Sequence, residues 1–163
     1  MIYMLKQGLA YMVLFLVVIF GMTHGIARGE DIALVNLPEI IRNAGDKAIP
    51  NAKWNKAIKN SDGKHTWYEI GGIDAKGRKV CVTVESHGDI EEIETEIKAQ
   101  NTPKVVLAAL KGKFPNFKIT AVYEIRDDQD KIIRYDIDGK RLNDKEDITI
   151  SFSEDGKFIK IDE

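Results

Sequence analysis

Beyond residue 27, the side chains best equipped for chemistry are His65, His87, the lone Cys81, and two acidic runs, Asp127-Asp128-Gln129-Asp130 and Asp136 through Asp147. Histidine can act as a general base and carboxylate oxygens suit calcium, but each needs partners at set spacings. The chain has no His-Glu-x-x-His, no Cys-x-x-Cys, no Gly-x-Ser-x-Gly and no glycine-rich phosphate loop. In the run from Asp136, which goes on to Asp138, Asp144, Glu146 and Asp147, Gly139 falls at the fourth place and Arg141 at the sixth, where an EF-hand needs its glycine. Both histidines stand beside turns, and turns select acidic residues for local hydrogen bonds. A triad assembled only in three dimensions stays open to any sequence. The expectation is a protein without enzymatic activity, cofactor or metal site.

A different kind of chemistry, protein binding, is written in the alternating segments. If Tyr68, Ile70, Val80, Val82 and Val84 face a helix, then Trp67, Glu69, Cys81 and Thr83 face away, as do Arg134, Asp136, Thr149 and Ser151. Tryptophan and arginine among adaptable polar neighbours are the composition of a partner-binding patch, here Trp67, Glu69, Thr83, Arg134 and Asp136. The same pattern leaves open that Trp67 packs on Arg134 or covers a strand edge, or that the register is off by one. Cys81 should lie beside this face as a small half-buried residue, and Trp54 reads as core.

The elements that would carry this face appear twice. Leu37-Pro38 to Ile49-Pro50-Asn51 matches Thr102-Pro103 to Phe114-Pro115-Asn116, and each is followed by a Tyr-centred strand and a late glycine turn. Pro38 opens a short amphipathic helix through Ile40, Ile41, Ala44, Ala48 and Ile49; Thr102 caps and Pro103 opens another through Val105, Val106, Ala109, Leu110 and Phe114. Strands are predicted at 53–59, around Thr66–Ile70 and Lys79–Glu85, from Ile90, and at 118–125, 132–137, 148–152 and 158–161. Ile90, Ile93 and Ile97 also fit a helix; the strand is chosen because the second copy has one. The fold class is α+β: two tandem α-β-β-β-β repeats, about 37–97 and 102–163, forming an antiparallel sheet with its helices packed on one face. The halves should share one core, side by side in a continuous sheet or back to back.

Lys6, the apolar run Leu9–Phe20 and the small residues Gly25 and Ala27 read as a signal peptide over 1–27, with an uncleaved anchor as the alternative. Residues 28–163 would form the folded domain, with three more acidic than basic residues and no charge blocks, which argues against nucleic acid and against a polybasic membrane patch. A single cysteine means no internal disulfide, so packing must hold an exported chain together.

The stretch Thr102-Pro103-Lys104-Val105-Val106-Leu107-Ala108-Ala109-Leu110-Lys111-Gly112-Lys113-Phe114-Pro115-Asn116-Phe117-Lys118-Ile119, with its following Tyr-x-Ile strand and Asp-Gly-Lys turn, resembles the PepSY-like family of bacterial exported proteins, which is similar in fold to the β-lactamase inhibitory proteins. The first copy departs from the pattern at Gly45 and at Ile49, where the family prefers Phe. The resemblance implies a periplasmic or secreted module without catalytic residues, with a role in restraining peptidases proposed for the family. The functional expectation is an exported, inhibitor-like module that recognises an envelope or secreted protein through the open face of its sheet. It would touch the membrane only through an uncleaved anchor. The alternative is an envelope sensor for a small ligand or calcium.

Overall fold

The computed structural model describes residues 29–142 and 146–162; the segment 1–27, read from sequence as a signal peptide, and Asp144 lie outside the described residues. Pro38 and Pro103 each stand immediately before a ten-residue helix, α1 (Glu39–Ala48) and α2 (Lys104–Lys113). Both prolines are extended, and the Pro38 carbonyl accepts the Ile41 and Arg42 N–H groups at 3.1 and 3.0 Å. A residue with no N–H loses nothing at this position. Pro50 and Pro115 follow the helix ends and forbid continuation. The reading of Thr102 as the cap of α2 is corrected: Pro103 holds the cap position, and the Thr102 hydroxyl is buried with no hydrogen-bond partner among the described residues.

The strands are β1 (Glu30–Asp31), β2 (Lys53–Ser61), β3 (Thr66–Ile73), β4 (Lys79–Glu85) and β5 (Ile90–Ile97). After α2 come β6 (Lys118–Arg126), β7 (Ile132–Lys140), β8 (Ile148–Phe152) and β9 (Phe158–Asp162). Each pairs antiparallel with the next in one nine-stranded meander. The two-residue β1, paired with β2 through Glu30–Lys59 and Asp31–Ile58, is too short to leave a sequence pattern. The segment from Ile90 is a strand, and it joins the halves side by side, with Ile93 to Ile97 opposite Arg126 to Val122.

Register fixes which side the helices cover. Val82 lies opposite Ile93, and Ile97, an even number of residues on, lies opposite Val122; residues two apart share a face, so these four are on one side. Ile41 and Ala44 of α1 pack there on Ala57, Tyr68, Ile70, Val82 and Val84. Val106 and Leu110 of α2 pack on Val122, Tyr135, Ile137, Ile150 and Phe152. The single shared core expected from sequence is divided into these two clusters. Their centres sit about four strands apart, roughly 19 Å, whereas packed helices approach to about 10 Å, so the helices cannot close over a common centre.

Gly45 and Trp54 fit each other. Gly45, the seventh residue of α1, lies where α2 has Leu110, and Trp54, the second residue of β2, lies where β6 has Ile119. A Cβ on Gly45 would come within 3.0 Å of Ile70 Cδ1 and 3.3 Å of the Trp54 ring. The indole thus packs beside Gly45, and its Nε1 donates to Asp46 at 2.7 Å. Trp54 packs against the first cluster, as a core-facing residue should.

Candidate binding face

The helix-free side of the sheet is read off the pairing. Asn60 of β2 faces Trp67; Glu69 of β3 faces Thr83; Cys81 and Thr83 of β4 face Glu94 and Glu92. Across the seam, Glu94 faces Ile125, Ile125 faces Arg134, Tyr123 faces Asp136, Asp136 faces Ser151, and Ser151 faces Lys160. The five residues of the expected patch, Trp67, Glu69, Thr83, Arg134 and Asp136, lie on this side by register. Arg134 and Trp67 do not meet: one is on β7 and the other on β3, and the guanidinium is engaged elsewhere.

The face is drier than alternation implies. Trp67 and Glu69 are half-buried, while Thr83, Cys81 and Asp136 are buried. Arg134 is clamped rather than free: its guanidinium donates to both carboxyl oxygens of Glu92, at 2.8 Å for the Nη2–Oε2 bond, and its Nε donates to Asp136 at 3.0 Å. Its side chain is 13% exposed and that of Glu92 15%, so this is an ion-pair network largely out of water. Burial works against the guanidinium charge, but the Glu92 bonds and the Asp136 charge more than offset it, so Arg134 stays protonated.

The carboxylates around it are pushed the other way. Burial first, then the Asp136 charge, raises the Glu94 carboxyl well above the ordinary glutamate range. Burial likewise raises Asp136, against the pull of Arg134 and Ser151. It raises Asp138, whose carboxylate accepts from the Thr149 hydroxyl at 2.7 Å. Glu69 is raised by burial, with the Trp67 indole and the Asn60 amide, at 2.9 Å, donating to it. Burial pushes the Cys81 thiol up too, and such a thiol is a poor nucleophile.

The other sequence candidates close their own turns. His65 lies 3.5 Å from Asp62 and His87 lies 2.9 Å from Asp89, all exposed. Asp127 accepts the Gln129 and Lys131 N–H groups at 3.0 and 2.9 Å, and Asp130 pairs with Arg126 at 2.7 Å. Among the described residues no group of three or more His, Cys, Asp or Glu side chains is arranged to hold a metal ion. Sequence reasoning missed Glu92, Glu94, Tyr123 and Lys160. The alternation of Glu92 and Glu94 with Ile93 was the available signal, obscured because that segment fits a helix equally well.

No protein-family model matches the chain, and no curated protein matches it. Its fold, an α+β arrangement of an antiparallel sheet and two helices, is similar to that of several solved Bacteroides structures. A candidate periplasmic protein of Bacteroides eggerthii DSM 20697 superposes with a TM-score of 0.60 at 16% identity, covering 76% of this chain and 86% of that one. A DUF2874 family protein from Bacteroides uniformis ATCC 8492 gives 0.60 at 16%, covering 76% and 87%. A BLIP-like protein from Bacteroides fragilis NCTC 9343 gives 0.55 at 21%, covering 76% and 84%. At these identities the likeness is one of fold, and it supports a BLIP-like fold; none of the three carries the PepSY-like label.

Proposed function

We propose that this protein is an exported, non-enzymatic binding module that meets another protein through the helix-free face of its sheet, in the manner of an inhibitor-like module. The observation that carries the reading is the sidedness of the sheet: both helices cover one face, and the other carries Trp67, Glu69, Thr83, Arg134 and Asp136, with Arg134 bound to Asp136 and Glu92 and Glu69 bound to Asn60. The similarity in fold to candidate periplasmic and BLIP-like proteins supports export to the periplasm or beyond, with a signal peptide over 1–27. The chain is also best read as one unit written twice, related to the PepSY-like modules. In support, the helices, their preceding prolines and the following strands occur in the same order in both halves.

The test is capture of a partner from the organism's own envelope extract by the exported chain. Arg134 is unsuitable as the probe because it holds Glu92 and Asp136 in place. Trp67→Ala and Lys160→Glu, at opposite ends of the face, are expected to lose capture, while Lys111→Glu on the exposed side of α2 keeps it. Equal capture by all three variants would remove this face as the contact.

A further inference from the structure

Antiparallel pairing sends the connections of the meander alternately to two ends, and the ends differ in charge. At one lie the last turns of α1 and α2 with the starts of β2 and β6, the β3–β4 turn and the β7–β8 connection. The described segments there, 46–53, 74–79, 111–118, 140–142 and 146–147, hold ten basic and four acidic residues. At the other lie the β2–β3, β4–β5, β6–β7 and β8–β9 turns, whose segments 61–66, 85–91, 126–131 and 153–157 hold nine acidic and four basic residues. Two carboxylates of the basic end are already engaged, Asp74 by Arg78 at 2.7 Å and Asp46 by the Trp54 indole at 2.7 Å. Its Lys47, Lys53, Lys76, Lys111, Lys113 and Lys118 are all exposed. A sequence without charge blocks thus folds into a molecule with one basic and one acidic end.

Both ends are stepped at the seam between the halves. Ile97, the last residue of β5, pairs with Val122, so residues 118–121 of β6 project beyond it. At the opposite end Ile93 pairs with Arg126, the last residue of β6, so residues 90–92 of β5 project instead. Within each half neighbouring strands finish level, as Lys53 opposite Ile73, Ile73 opposite Lys79 and Lys118 opposite Lys140 show. The second half therefore stands out at the basic end and the first half at the acidic end, each by roughly 10–13 Å at the rise of a strand.

We propose that the basic end docks a second copy of this chain, which presents its acidic end after a shift along the strands. That shift seats the projecting half of one copy in the recess of the next. It also brings opposite charges together in both halves, Lys53 and Lys76 toward Asp62 and Asp89, and Lys111 and Lys118 toward Asp128 and Glu154. The contact is heterologous, so it repeats into an open row instead of closing a dimer, and it leaves the helix-free face uncovered. A flat anionic bilayer fits less well. With the second half's lysines against it, those of the first half stand roughly 10–13 Å off, beyond a Debye length of about 8 Å at physiological salt. Exposed ion pairs are individually weak and screened, so the row forms at low ionic strength and dissolves at high.

The test is sedimentation velocity of the exported chain over a range of concentrations. The sedimentation coefficient should climb with concentration in about 20 mM sodium chloride and stay at the monomer value in about 500 mM. The double variants Lys111→Glu with Lys118→Glu, and Asp128→Lys with Glu154→Lys, change exposed side chains only. Each should weaken self-association by about tenfold or more, through like charges brought face to face. Mixing the two variants should restore it, because the acidified end of one then meets the basified end of the other. A parent that stays monomeric in dilute salt, or a mixture that fails to reassociate, overturns the proposal. Flotation of a monomeric parent with phosphatidylglycerol vesicles would overturn it too, and assign the basic end to an anionic surface. None of these readouts touches the helix-free face, whose role is read separately from Trp67→Ala and Lys160→Glu.

Discussion

Arg134, chosen from sequence as part of a partner-binding patch, is also the centre of an ion-pair network within that face. Alternation placed it on the helix-free face, correctly as to side, but the pattern carries no information on how deeply neighbours bury it. Its guanidinium is held on two sides by Glu92 and Asp136, and removing one partner of a buried network leaves the others uncompensated. Arg134→Ala is therefore expected to destabilise the fold by about 3 kcal/mol, seen as an earlier urea midpoint. A midpoint unchanged from the parent would show that the network is solvated. Thr102 offers the opposite test. Its buried hydroxyl is unpaired, so the near-isosteric Thr102→Val removes a desolvated polar group at almost no cost in packing and should stabilise by about 1 kcal/mol, raising the melting temperature. Five face residues were legible in the sequence because a strand's parity is. Glu94 was not, because it lies in the segment whose isoleucines serve a helix as readily as a strand.

At the scale of elements, the prolines made the fold readable: each fixes a helix start or stop by removing a hydrogen-bond donor, whatever the tertiary context. The glycines needed coordinates. Pairing between β6 and β7 shifts between Ile119 and Ala121, and there Gly139 lets the backbones close. A Cβ on Gly139 would lie 2.1 Å from the Lys118 carbonyl oxygen and 2.7 Å from Phe117, neither of which can yield cheaply. Gly72 meets the Lys53 carbonyl oxygen in the same way at 2.5 Å, beside the matching shift between Trp54 and Lys56. Gly139→Ala should cost more than about 2 kcal/mol by forcing the strands apart. Gly112, in the last turn of α2, has open space where its Cβ would be, so Gly112→Ala should stabilise by about 0.5–1 kcal/mol through helix propensity alone. Differential scanning calorimetry of the two variants would show the melting temperature moving in opposite directions; a drop for Gly112→Ala would refute that account of the helix.

For the whole molecule, the two faces of one sheet set opposite demands, and pH reads them. Under the helices the contacts are apolar and indifferent to protons. On the other face, Glu69, Glu94, Asp136 and Asp138 all have carboxyls raised by burial. A group whose pKa is raised on folding binds its proton more tightly in the folded chain. Its contribution is full below the unfolded pKa and is lost as pH climbs through the folded one. The turns act in reverse: the N–H groups of His65 and Lys64 lower Asp62 to about 2, and the Ser153 hydroxyl and then the Lys157 N–H lower Asp155, so their smaller, exposed contributions fade only in stronger acid. Stability should therefore peak at roughly pH 5, between the ionisation of the turn aspartates and that of the buried carboxyls, and fall toward pH 8. Glu94→Gln removes a carboxyl that burial holds well above its ordinary range. The variant should match the parent near pH 5, exceed it at pH 8, and flatten the decline in urea midpoint between them. A parent midpoint that rises steadily from pH 5 to 8 would mean that these carboxylates ionise at no cost, and that the helix-free face is as open to water as a lone strand's outer edge.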